Sequence, residues 1–155
     1  MAELTSINQS DWIGYAGIHT HGNATAQSIA NGATYIKVIN FMDNDPARNC
    51  TPDYINNQIT VNVAGIYKIE GAFSFSASNN VTFFGSGFLD GVELEEIHFT
   101  RKIGTAGDVG SASFTGLVSV TAGQVVDFRV RHSDTGAVDT TFSYMNFNVV
   151  KVDKV

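Results

Sequence analysis

Two histidines are the first residues whose spacing could do chemistry. His19 and His21, in the run Gly17-Ile18-His19-Thr20-His21-Gly22, stand two positions apart, so on a strand both imidazoles leave the same face, as two ligands of a metal ion would. No third ligand is identifiable beside them, and the polar, Gly-rich surroundings suit surface histidines. Asp43-Asn44-Asp45, with Asp53 downstream, gathers the oxygen donors that calcium takes roughly six to eight at a time. The EF-hand pattern fails for want of its glycine, and Pro46 among Asn and Asp residues fits a turn. The expectation is no metal and no cofactor, with His19, His21, Asp43 and Asp45 the positions to examine.

Nucleophilic chemistry fares no better. Cys50 with His98 or His132 supplies a thiol and a base, yet neither a nucleophile elbow nor an oxyanion loop accompanies them; a lone Cys reads as a small apolar filler. Glu93, Glu95 and Glu96 hold the carboxyls a glycosidase needs, but neighbours on a strand face opposite sides, and a solvated edge is the simpler reading. Gly85, Gly87 and Gly91 form no phosphate cradle, because no helix follows them. Asp127, Arg129 and Arg131 read as a solvated strand face with cross-strand ion pairs. Nothing here is a catalytic constellation, and the chain is expected not to be an enzyme.

The elements that must carry these residues are strands. Helical periodicity is not sustained anywhere over three turns, whereas period-two alternation recurs between Gly, Asn and Asp. In Gly65 to Ala77, Tyr67, Ile69, Phe73 and Phe75 share a face, Lys68, Glu70, Ser74 and Ser76 take the other, and Gly71 falls in the apolar row. Val81 to Leu89 and Val92 to Thr100 read as a hairpin through Asp90-Gly91, a pair suited to positive φ. The apolar phase changes between Leu94 and Ile97, which predicts a bulge near Glu95-Glu96. Ala112 to Val120, Gln124 to His132 and Phe142 to Val152 follow; Thr34 to Phe41, Gln58 to Val63 and, more weakly, Tyr15 to His19 precede. About eight to ten short strands suit an antiparallel sandwich. Residues 1–32 read as an amino-terminal arm with a possible first strand, and residues 33–155 as the domain.

Composition sets limits on partners. A chain of 155 residues holds one core. Its charged fraction of 15% lies below the usual quarter or so, the difference being made up by Gly, Ser, Thr and Asn. A formal charge of −6 with nine Lys and Arg argues against a grip on nucleic-acid phosphates or an anionic membrane, and no apolar run approaches membrane-spanning length. The polar start, Met1 to Gln9, lacks the basic and apolar regions of a signal peptide, which reads as synthesis in a cytoplasm. One Cys makes no internal disulfide. Eleven Phe and five Tyr are more rings than one small sandwich needs, so some are expected to meet another subunit.

The run Asn49-Cys50-Thr51-Pro52-Asp53-Tyr54, then Ile59-Thr60-Val61-Asn62-Val63-Ala64-Gly65-Ile66-Tyr67-Lys68-Ile69, resembles the signature of the complement globular-head family, within the tumour-necrosis-factor-like jelly rolls. Ser113 to Val126 and the closing Phe142-Ser143-Tyr144-Met145-Asn146-Phe147 are similar to the family as well, so the resemblance spans roughly residues 34–150. Ile59 departs from the usual aromatic there, and the Tyr54 to Ile59 interval is short. The resemblance implies an all-β, antiparallel two-sheet jelly roll assembled as a homotrimer. Tyr67, Phe73, Phe142 and Tyr144 are the rings expected at its axis, although Tyr67 reads equally as a core tyrosine and alternation alone leaves open which face is core. Threefold symmetry could also complete a metal site from several copies.

Function is expected to lie in binding and assembly. The domain fills nearly the whole chain without the stalk or anchor of animal family members, and its surface is poor in Lys and Glu. The first expectation is a virion protein of a bacteriophage: a trimeric decoration or cement protein, made in the host cytoplasm, that binds the major capsid protein on the outer capsid surface. The arm residues Trp12, Ile13, Tyr15 and Ile18 are the expected shell contacts. The alternative is the receptor-binding tip of a tail fibre or spike, reading host glycan or protein through loops Asp43 to Asp53, Gly104 to Gly110 and Ser133 to Thr141.

Overall fold

In the computed structural model, which describes residues 12–30, 32, 34–78, 80–105 and 108–153, the alternating segments become strands. They are β1 (Tyr15–His21), β2 (Gln27–Ile29), β3 (Ile36–Lys37), β4 (Asp43–Asn44), β5 (Cys50–Asp53), β6 (Gln58–Val61), β7 (Gly65–Ser76), β8 (Val81–Leu89), β9 (Val92–Ile103), β10 (Val109–Val120), β11 (Val125–His132) and β12 (Val138–Asp153). Twelve described strands exceed the eight to ten expected because three of them, β2, β3 and β4, are two or three residues long. One sheet runs β10-β7-β12-β1-β4 with β2 beside β12, the other β5-β6-β11-β8-β9 with β3 beside β11. Every ladder is antiparallel. The fold is the two-sheet jelly roll anticipated from the sequence.

Two boundaries are corrected. Of Thr34 to Phe41 only Ile36–Lys37 pairs as a strand, because Val38 and Phe41 turn into the core instead of alternating along a ladder. The segment read as an arm is part of the sandwich from Tyr15 onward: β1 lies between β12 and β4, and Ile18 is fully buried opposite Phe147. Residues 1–11 fall outside the described residues.

Aromatic stacking joins the sheets. Phe128 of β11 meets Phe73 of β7 at 4.4 Å and Phe114 of β10 at 5.0 Å between ring centroids, both nearly parallel. Phe99 of β9 lies 5.8 Å from Phe128, and Phe75 meets Phe83 edge-on at 5.2 Å. Gly71 makes room for this cluster: a Cβ there would fall 2.6 Å from the Phe114 ring. Nine of the eleven Phe belong to the core between the sheets and Phe88 and Phe84 lie under arginines on an outer face, so most of the rings are used within the single chain and few are left to face another subunit. Rings of this size each remove on the order of 150–250 Å² from water.

Local chemistry sets the connections. Asp90 and Gly91 both have positive φ, 49° and 81°, as the hairpin pair predicts. The β8–β9 register jumps from Gly87↔Leu94 to Ser86↔His98, which places the anticipated bulge at residues 95–97 and restores Ile97 and Phe99 to the core. Broken ladder bonds are replaced locally. The buried Ser86 hydroxyl lies 3.1 Å from the Ile97 carbonyl and 3.3 Å from that of Leu94, and His98 Nδ1 lies 2.8 Å from the Glu95 carbonyl. At the end of β7, the fully buried Tyr67 donates its hydroxyl to the Val63 carbonyl at 2.8 Å. Burial holds that phenol above its ordinary range, and the adjoining Cys50 thiol is pushed up by its own burial.

Two outcomes are expected. Replacing Phe128 with Ala should cost about 3–5 kcal/mol in urea unfolding, whereas Lys102→Ala, on an exposed site of β9, should stay within about 0.5 kcal/mol. Because its thiolate is disfavoured and its sulfur is covered, Cys50 should resist a thiol-specific chromogenic reagent at about pH 8 and react only after denaturant unfolds the chain.

Candidate functional site

The two outer faces of the sandwich differ in how far they are already closed by their own side chains. On the β5-β6-β11-β8-β9 sheet, Asp127 is buried beneath two cations: Arg129 contacts it through Nε at 2.7 Å and Nη2 at 3.0 Å, and Lys37 through Nζ at 3.2 Å. The Asp127 carboxylate holds the Arg129 guanidinium above its ordinary range. Arg129 stacks 4.4 Å from the Phe88 ring, and Arg131 lies 4.2 Å from Phe84 and 5.2 Å from Tyr35. What reads in sequence as a solvated charged stripe is an interlocked cation and ring layer, in which one of the ion pairs joins residues of the same strand.

The outer face of the β10-β7-β12-β1 sheet stays open. Its register builds four rows across β10, β7, β12 and β1 in turn: Ser111, Ser74, Tyr144 and His21; Ser113, Ala72, Asn146 and His19; Thr115, Glu70, Asn148 and Gly17; Leu117, Lys68, Val150 and Tyr15. Small side chains in the first two rows leave two adjoining hollows of about 520 and 590 Å³ that share Ala72, Ser113 and Asn146. The last row is apolar apart from Lys68, whose ammonium pairs with Glu70 at 2.8 Å. Leu117 is 60% exposed, and Val152 next to this row 51%. At the β1 edge, Gly17 lacks the Cβ that would collide with Asp45 and Asn148. Both side chains therefore lie across the strand: Asp45 Oδ1 comes 2.8 Å from His19 Nδ1, and the Asn148 amide donates to Asn146.

This arrangement sorts the residues singled out in sequence. Tyr144, 58% exposed, stands on the open face, but Tyr67, Phe73 and Phe142 lie between the sheets with 2% exposure or less, so they build the monomer core and are not reachable by a second copy. The split between Phe142 and Tyr144 has a definite cause. The two positions share parity, which in a regular strand gives one face, but the register shifts at Ser143, where Phe142↔Phe75 is followed by Tyr144↔Ser74. A bulge thus turns one ring inward and the next outward. Of the residues named as shell contacts, Trp12, Ile13 and Tyr15 are exposed and Ile18 is core.

The candidate metal ligands come together only in part. His19 and His21 stack with centroids 6.2 Å apart, and Asp43 pairs with His19 in register, but among the described residues no group of three His, Cys, Asp or Glu side chains converges as a metal site. Asp43 accepts from the Asn44 backbone at 2.8 Å. Asp53 binds the Asn56 side chain and backbone, bonds that hold its carboxyl below the usual range. These carboxylates are spent on turns. Cys50 and His132 lie at opposite ends of the second sheet, Cys50 pairing with Val61 and His132 with Phe83, while His98 stands on the far edge strand.

Sequence reasoning passed over Leu117, Val150, Ser111, Ser113, Asn146 and Asn148. A signal was present for the first two: each is an apolar residue in the outward phase of a strand whose inward phase is already apolar, since Val118 and Val149 are the buried neighbours. Such doubled apolar positions mark a surface with something to cover it.

No protein-family model and no curated protein matches the sequence; solved structures do match. The Eiger TNF of S. frugiperda superposes with a TM-score of 0.59 at 12% identity, over 92% of this chain and 95% of that one. The globular domain of zebrafish complement 1qA protein gives 0.60 at 15%, over 92% and 99%. Murine APRIL, in a crystal structure at pH 5.0, gives 0.58 at 13%, over 89% and 99%. At such identities the likeness is one of fold, and by fold the chain is a TNF- and C1q-like jelly roll.

Proposed function

We propose that three copies of this chain associate through the open face of the β10-β7-β12-β1 sheet, and that the trimer decorates the outer surface of a bacteriophage capsid by binding its major capsid protein. The observation that carries the self-association is the apolar row Leu117, Val150 and Tyr15, continued by Val152 and flanked by the small-residue hollows. A cyclic, heterologous interface buries such a row against neighbouring copies, while Ser, Ala and Asn positions let backbones approach and accept side chains from the partner. The other outer face offers no equivalent, because its charges and rings already satisfy one another.

Placement on a virion rests on the same elements read together. The low charged fraction and the formal charge of −6 disfavour nucleic-acid and anionic-membrane partners. Trp12 and Ile13, exposed at the start of β1, are apolar anchors for a protein shell. A trimer seated at a threefold point presents three such anchors at once, so weak contacts add into tight attachment through effective concentration. Synthesis in the host cytoplasm and residence on the capsid surface belong to this reading. The second reading, a receptor-binding fibre tip, draws on the hydroxyl- and amide-lined hollow bordered by Tyr144, Ser74, Ser111 and Asn146, a lining suited to a sugar.

Native mass spectrometry of the wild type should give a trimer. Tyr144→Asp and Val150→Asp should each give folded monomers, since an unpaired charge in a packed seam costs about 3 kcal/mol or more, and Glu95→Lys on the opposite sheet should leave the trimer intact. A monomeric wild type, or trimers in both Asp variants, ends the self-association reading. Purified protein mixed with undecorated capsids should bind them, and Trp12→Ser with Ile13→Ser should lower occupancy at least tenfold. Binding to host cells and not to shells would establish the fibre-tip reading in its place.

A further inference from the structure

Outside the open face, a buried histidine is committed at both ring nitrogens. His132, at the end of β11, is fully buried. Its Nδ1 accepts the backbone N–H of Asp134 at 3.1 Å, so Nδ1 carries no hydrogen. The proton of the neutral ring therefore resides on Nε2, which donates to the Ile29 carbonyl at 3.0 Å. The ring packs against Phe83 at 6.0 Å. Around it, Gly32 donates its N–H to the Asp134 carbonyl at 3.2 Å and Ser133 to that of Thr82 at 2.9 Å, and Arg131 Nη1 donates to the Gly32 carbonyl at 3.3 Å. The β2–β3 turn and the β11–β12 loop thus meet on one imidazole.

We propose that His132 is an acid-sensitive latch: in its neutral Nε2–H form it accepts the Asp134 N–H and ties the Ser133–Ala137 loop to the end of the sandwich, and protonation releases that loop. A second proton has only Nδ1 to occupy, where it points at the Asp134 N–H; one donor faces another, and that bond is lost. The new charge sits beside Phe83, buried from bulk solvent. The charged groups on the surrounding elements are Arg131 of β11, Asp134 of the loop, Asp139 of β12 and Arg101 of β9, across from Phe83. None of them forms an ion pair with His132: Arg131 is spent on Gly32 and two rings, and Asp134 Oδ1 accepts from Thr135 at 2.8 Å. The sign follows directly. The latch holds while the ring is neutral and opens as pH falls through the range in which the ring gains a proton. The consequence is a change confined to one end of the sandwich, because Phe128 and its partners lie elsewhere in the core.

The test is amide hydrogen exchange on the full chain, with protection factors corrected for intrinsic rates, from about pH 7.5 to about pH 5, alongside the ring resonances of His132. Protection at Gly32, Ser133 and Asp134 should fall at least tenfold in step with the His132 titration, while Phe73 and Phe147 stay protected. His132→Gln, whose amide can still donate to Ile29 but cannot gain a proton, should lose the pH-dependent step. Three results would each overturn the latch: a ring that never protonates across the range, one that protonates without loss of protection, or a step of unchanged size in His132→Gln. If that variant does not fold, the wild-type ring titration and exchange profile still decide the question.

Discussion

The stack of Phe128 between Phe73 and Phe114 is the contact on which the remainder of the architecture depends. It is the place where one strand of the second sheet meets two of the first. Because side chains alternate along a strand, fixing these three rings inward fixes the phase of β7, β10 and β11 along their whole length. A one-residue slip would carry every apolar side chain of a strand to the outside. The requirement that β9 and β12 keep to this phase explains their bulges. Residues 95–97 are looped out so that Ile97 and Phe99 both point inward, and Ser143 is inserted so that Phe142 does. Gly71 is the counterpart of these insertions, a side chain removed so that Phe114 can enter.

With the core phase set, the outward residues are whatever remains, and the two sheets dispose of them differently. On the second sheet the remainder is long and charged or aromatic, so Lys37, Arg129, Arg131, Tyr35, Phe84 and Phe88 reach over their neighbours and cover the strand that holds Asp127. On the first sheet the remainder is short, with Ser, Ala, Thr and Asn over most of three rows, and short side chains cannot cover anything. Hollows and a bare apolar row are the result. The open face is thus a consequence of side-chain length, and the same shortness gives another backbone access to it.

Residues that matter to the candidate site were legible in unequal measure. Tyr144 was named from the sequence and stands on the open face, and Trp12, Ile13 and Tyr15 were named and are exposed. Tyr67, Phe73 and Phe142 were named with Tyr144 because aromatic residues and a shared alternation look alike whether they face a partner or the opposite sheet. Leu117 and Val150 went unnamed because each sits next to a buried residue, so an apolar pair looks like ordinary strand composition until the inward partner is known. His132 gave no sign of being a junction, since Ile29 and Asp134 come to it from separate connections.

The sequence by itself determined the strand content, the Asp90-Gly91 turn and the bulge before Ile97, and its resemblance to the complement globular-head family implied the jelly roll. The first three are local, encoded in alternation, in its breaks and in turn residues that tolerate positive φ. It also excluded a disulfide within this chain, since there is one Cys. Only the tertiary structure decided which aromatic face is core, that residues 15–30 belong to the sandwich, and that Asp127 is buried under Arg129 and Lys37. The physical reason is common to all three: each depends on what lies across a ladder or across the gap between sheets. Those neighbours are tens of residues away along the chain, beyond the reach of any pattern read within one strand.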